Sequence, residues 1–255
     1  MEITPSGHRF LDHAREIVLR ADAALDDMRR DAKTDQGQVV GGLPPSLGEI
    51  AIPRLAAEFA RRFPRGRLSI VEGGSGALFD QVLAERLDFA VIRNPTASSQ
   101  IRAERLKLEA LFLIGAAPLG SRYEGIGLAE LSRVRLIMPT VADAKRSLIS
   151  RIMSEGDFLP NIVMEVDSIG STIELARAGF GYAVIPESTI AILPRSRPRL
   201  HCQRIEAPGA FADLCFVTSS KLGQNSLPAK AARVIREELV EILTTVSGPR
   251  RTTKG

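Results

Sequence analysis

From residue 38 onward, short apolar runs alternate with stretches whose apolar residues recur every third or fourth position, and this alternation restricts the chain to β-α-β architecture. Strands are expected at 38–43, 68–72 and 88–92. Between them, helices are expected at 53–63, with Leu55, Phe59 and Phe63 inward, and at 76–86, with Leu78, Val82 and Leu83 inward. Parallel strands joined in this way cross over right-handedly. Residues 101–116 read as an extended segment leaving this first unit. The alternation then restarts with strand 135–138, helix 145–154, strand 162–166, helix 169–178, strand 182–185 and a short helix from Glu187. Residues 214–218 read as a returning strand, and 228–246 as a last helix that turns Ala232, Ile235, Leu239, Ile242 and Val246 toward the first unit. The expected fold is α/β with two lobes and a cleft: lobe I at about 37–113 and 218–246, lobe II at about 114–217, and a disordered tail at 247–255.

Residues 1–36 follow a different rule. Phe10, Ala14, Ile17, Ala21, Ala24 and Met28 alternate spacings of four and three, the seam of a coiled coil, and predict a linker helix that dimerises. Packing of the same stripe on its own domain is the competing reading. Glu16 with Arg20 and Asp26 with Arg30 are ordered to support the helix, each by a few tenths of a kcal/mol. The chain carries a net charge of +4, yet this segment holds six basic against eight acidic residues, so it is not a stripe for phosphates. Basic excess lies at Arg195, Arg197, Arg199 and Arg204 and at Arg250, Arg251 and Lys254, without interleaved aromatics, which reads as solvated surface. The longest apolar stretch, 110–120, contains Gly and Pro and falls short of the roughly 20 residues of a membrane span. Two cysteines without a C-x-x-C spacing and no signal-peptide pattern fit a reducing, cytoplasmic setting.

Five stretches carry a family resemblance: ITPSGHRF (3–10), GQVVGGLPPS (37–46), Phe63 with Pro64, RLDFA (86–90) and EVDSIGSTIELARAGFGYAVIP (165–186). In this order and spacing they resemble LysR-type transcriptional regulators, over roughly residues 3–246. The resemblance implies a two-lobe, periplasmic-binding-protein-like fold preceded by a long linker helix, a small-molecule effector in the cleft, and assembly as a homodimer or tetramer. It also implies a winged helix-turn-helix ahead of the linker helix. That reader is expected to be missing from this chain, so DNA is a partner only through it.

Candidate ligand residues lie at strand ends. Ser46, Leu47 and Gly48 follow the first strand at a helix start, where free N–H groups and the Ser46 hydroxyl suit an anion; capping alone is the other role open to Ser46. Arg93 closes the third strand, where a guanidinium can grip a carboxylate with two hydrogen bonds, or stand as ordinary surface. In the second lobe Thr140 follows a strand, and Ser168, Ile169 and Ser171 precede a helix, so that these serines can cap it, reach ligand, or both. In relatives, the resemblance implies, these loops touch the inducer.

Catalysis finds little support. His8, His13 and His201 are scattered without an H-E-x-x-H, and Gly73, Gly74, Ser75 and Gly76 are followed by Ala77, which breaks G-x-S-x-G and leaves the loop as a helix start. No cofactor or metal is expected. The reading is the effector-binding part of a regulator, its effector anionic. The alternatives are a solute-binding protein of the same fold, or a headless regulator acting through mixed dimers.

Overall fold

The computed structural model describes residues 35–120, 125–140, 144–190, 193 and 200–246, together with Thr4, Ser6, Gly7, Phe10, His13, Ala14 and Ile17. In the first lobe, β1 (Gln36–Leu43) lies parallel to β2 (Arg65–Glu72) on one side and to β3 (Phe89–Arg93) on the other. The connections are α1 (Pro45–Arg62) and α2 (Ser75–Leu83). Gly41 is required where β1 passes β3, because a Cβ there would overlap the Phe89 ring. That ring stacks on Phe216, with centroids 5.3 Å apart.

The helix expected to start at Pro53 starts instead at Pro45, with Pro53 inside it. An interior proline costs about 3 kcal/mol. Leu47, Ala51, Leu55 and Phe59 nevertheless form one unbroken buried stripe across it. Burying each large member contributes about 1.5 to 3 kcal/mol, so the continuous stripe outweighs the missing hydrogen bond.

A single strand, β4 (Ile101–Gly115), ties the halves together. Its residues 101–110 pair antiparallel with β9 (Phe211–Ser219), which also pairs with β3. From Leu111 the same strand enters the second lobe, between β7 (Tyr182–Pro186) and β8 (His201–Arg204). There β5 (Leu136–Met138) runs parallel to β7 and to β6 (Ile162–Glu165). The whole path is β2-β1-β3-β9-β4-β7-β5-β6, with β8 on β4. The helices of this half are α3 (Leu128–Leu131), α4 (Ala144–Glu155), α5 (Ile169–Arg177) and α6 (Glu187–Ile190). Finally α7 (Leu227–Val246) returns to the first lobe, burying Ala232, Ile235, Leu239 and Ile242 in the core that also holds Leu55 and Phe59.

The expected lobe boundary at 217 falls inside β9, whose residues 211–217 pair with β3 and with the first part of β4. Outgoing and returning chains cross side by side, where Leu111 N–H donates to Ala210 C=O at 3.2 Å. Apolar clusters line both faces of each half-sheet, which is why the central strands read as continuous apolar runs rather than alternating ones. Two short elements were not expected, α3 and β8. The latter, polar in composition, buries only Gln203, whose side-chain amide both donates to and accepts from the Leu119 backbone, at 2.8 and 2.7 Å.

Phe10, Ala14 and Ile17 are helical, and Phe10 and Ile17 are exposed. Ala21, Ala24 and Met28, the rest of the expected seam, lie outside the described residues, as does the 247–255 tail. Among the described residues no helix is long and apolar enough to cross a membrane.

Candidate functional site

The C-terminal ends of the parallel strands of both lobes open onto one crevice of about 370 Å3. Lobe I contributes Pro44 to Ser46 after β1, the loop from Gly73 to Ala77 after β2, and Arg93 at the end of β3. Facing them are Pro139 and Thr140 after β5, Asp167 and Ile169 after β6, and Pro186 and Thr189 after β7.

Four helices, α1, α2, α4 and α5, begin at this crevice, and none has an acidic residue in its first turn. The N-cap residues of α1 and α2 are Pro44 and Gly74, which make no side-chain cap hydrogen bond. Their first-turn N–H groups therefore keep the partial positive charge of the helix ends directed at the crevice. Deeper in, Thr189 is fully buried and its Oγ1 has no hydrogen-bond partner among the described residues. An unpaired buried hydroxyl costs about 1 to 3 kcal/mol, so such a group calls for an explanation.

Arg93 lines the crevice but is not a free cation. Its Nε donates to Glu109 Oε2 at 2.9 Å and its Nη2 to Ser188 Oγ at 3.1 Å. Glu109 is fully buried and accepts a further hydrogen bond from Ser188 N–H. One edge of the guanidinium, which was expected to grip an effector carboxylate with two hydrogen bonds, is thus committed to a buried ion pair that joins β3, β4 and α6.

Ser46, Arg93, Thr140 and Ile169 are brought together around the crevice; Leu47, Gly48, Ser168 and Ser171 are not part of its lining. Leu47 points into the lobe I core because it belongs to the buried stripe of α1. Gly48 is packed where a Cβ would run into the Glu72 carboxylate. Ser168 caps α5 by accepting from Ser171 N–H at 3.3 Å, and the two hydroxyls hydrogen-bond each other at 3.1 Å. The Thr140 hydroxyl and N–H both donate to Asp167 Oδ1, at 2.9 and 2.8 Å, which clips the β5 and β6 loops together. Sequence reasoning took Gly73 to Gly76 only as a helix start, which it is, and passed over Thr189; position at the end of a parallel strand was the signal available for both.

A model of the LysR substrate binding domain matches residues 32–241. The chain belongs to this family. Its relatives are transcriptional regulators: it is 26% identical over 238 residues to the nitrogen assimilation regulatory protein nac of Klebsiella aerogenes, covering 93% of this chain and 77% of that protein. It is 28% identical over 198 residues to BudR of Raoultella terrigena, covering 75% and 68%. Against AlsR of Bacillus subtilis identity is 25% over 193 residues, covering 74% of this chain and 63% of AlsR. The fold matches that of full-length CbnR complexed with its target DNA, with a TM-score of 0.70 at 19% identity, over 93% of this chain and 82% of that one. Full-length BenM gives a TM-score of 0.69 at 20% identity, over 95% and 78%. This LysR-family chain is thus the effector-sensing part of a LysR-type regulator, with the α/β fold of that class.

Proposed function

We propose that the crevice takes a small anionic effector, and that its occupancy is what the regulator reports. The observation that carries this reading is the convergence of four helix starts, none with an acid in its first turn, on one crevice. Arg93 supplies no uncommitted charge, so the anion is held chiefly by main-chain N–H groups near Ser46 and from Ser75 to Ala77, with Ser46 and Ile169 at the walls. Thr140 steadies the opposite wall through Asp167, and Ser168 and Ser171 act through the start of α5 rather than by touch. Thr189 gains its missing partner from the ligand. Lobe I comprises about 37–110 and 211–246, and lobe II about 111–210, divided where β4 changes partners.

Effector binding closes the lobes and alters how subunits of a homodimer or tetramer pack, through residues 1–36 and the exposed Phe10 and Ile17. DNA is engaged through a winged helix-turn-helix outside these residues, in the cytoplasm, and the chain acts by binding, not by catalysis. Calorimetry and thermal shift against small carboxylates test the core of this reading, since ligand at a hundred times Kd stabilises by about 2.7 kcal/mol. Ala77→Glu places a carboxylate in the first turn of α2, which suits the helix but opposes an anion. Stability is expected to hold or rise slightly while affinity falls about tenfold or more. Undiminished anion binding in that variant would refute the reading.

A further inference from the structure

A second hollow, of about 280 Å3, lies where α7 runs over β4 and β9, and it shares no residue with the crevice. The strand register builds its floor, setting Arg102 opposite Thr218 and Glu104 opposite Phe216. One face of α7 builds the wall: Ala229 and Ala232 leave room, and Arg233 and Arg236 reach over it. Three guanidinium groups thus surround a space containing a single carboxylate.

Several other cations around this lobe are each held by a carboxylate. Arg105 is bound to Asp213 at 2.6 Å, Lys107 to Glu187 at 2.9 Å, Lys221 to Glu85 at 2.7 Å and Lys230 to Asp35 at 2.6 Å. In the hollow, Arg236 meets Glu104 only at 3.5 Å, and Arg102 spends one Nη2 on the Ser220 carbonyl at 3.1 Å. Among the described residues no carboxylate lies within 4 Å of Arg102 or Arg233.

From this we infer that the hollow is a second anion site, taking a compact dianionic group, a phosphate or a dicarboxylate, between Arg102 and Arg233. Planar guanidinium forks match the oxygen pairs of such groups, and a doubly charged anion relieves the mutual repulsion of the arginines. The space left by Ala229 and Ala232 in the α7 wall admits a group of phosphate or succinate size.

Titration calorimetry of the full chain, at fixed ionic strength, with sodium phosphate in one arm and succinate in the other, tests this. Two variants lose equal charge: Arg102→Gln with Arg233→Gln inside the hollow, and Lys221→Gln with Lys230→Gln outside it. At least one of the anions is expected to bind saturably, about tenfold more weakly in the arginine variant, and within about twofold of wild type in the lysine variant. Saturation by one anion alone names the source of the dianion. The inference is overturned if neither anion saturates, if both variants weaken alike so that only net charge matters, or if the arginine variant binds like wild type because the anion sits in the crevice. None of these results depends on an effector being found for the crevice.

Discussion

The two walls of the crevice solve the same geometric problem differently. On the lobe I side the loops are Pro44 and Pro45 and the run from Gly73 to Ala77, main chain with little side chain and two helix starts that no side chain caps. On the lobe II side the loops are tied to one another: Thr140 to Asp167, Ser168 to Ser171, and Arg146 to both Glu165 and the Pro139 carbonyl. Uncapped helix starts thus mark lobe I, and apart from the Thr189 hydroxyl the lobe II wall is made of satisfied contacts that hold a shape. A wall with unspent hydrogen bonds gains from a ligand, whereas a wall already satisfied offers a fixed surface to close against.

The sharpest break of this contrast comes at the seam between the walls. Glu109→Ala leaves the Arg93 guanidinium buried without a counter-charge and is expected to cost about 3 to 5 kcal/mol in urea unfolding. Replacing both members by Leu should recover most of that loss, and a single variant of near wild-type stability would show that the pair holds nothing together. Next in size is Thr189→Val, which removes the unpaired hydroxyl. The ligand-free protein should keep its stability or gain up to about 1 kcal/mol, whereas a loss of that size would reveal a partner for the hydroxyl and close the gap between the walls.

On the tied wall, Asp167→Asn weakens the clip to Thr140 in an exposed setting, and about 1 kcal/mol of thermal stability should go. Faster amide exchange should follow at residues 139–140 and not at 73–77. The smallest effect concerns the far end of α1. Hydrogen bonds from Arg61 and then Arg62 hold the Glu58 carboxyl down at about 2, from an ordinary 4.5. A carboxyl lowered by folding adds stability above its unfolded value and loses it as pH drops through its folded value. A slight weakening between pH 4.5 and 2 should therefore vanish in Glu58→Gln, with crevice binding unchanged at neutral pH.

The fold was legible wherever burial follows a local period. The stripe of Leu55, Phe59 and Phe63, the face of α7 and most strand centres could be read from spacing alone. What escaped depended on distant pairing. Pro53 argued for a helix start, and only the core behind Leu47 and Ala51 overrides it. The four residues of β8 look like polar surface until β4 supplies an edge for them. Arg93 could be placed at a strand end, but Glu109 and Ser188, 16 and 95 positions away, become its neighbours only when β3, β4 and α6 meet. A residue's place on an element is written locally, and its freedom to bind something else is not.

The chain passes between its halves at two points, and these lie next to each other, joined by the contact of Leu111 with Ala210. Adjacent ribbons can twist as a pair but resist being slid apart or stretched, so relative motion of the halves has a built-in pivot. Swinging about that line would open or narrow the mouth of the crevice, and the Arg93 and Glu109 pair, with Glu109 two residues from Leu111, sits beside the pivot. On the proposed reading, a bound molecule would pass its message on as a change of angle.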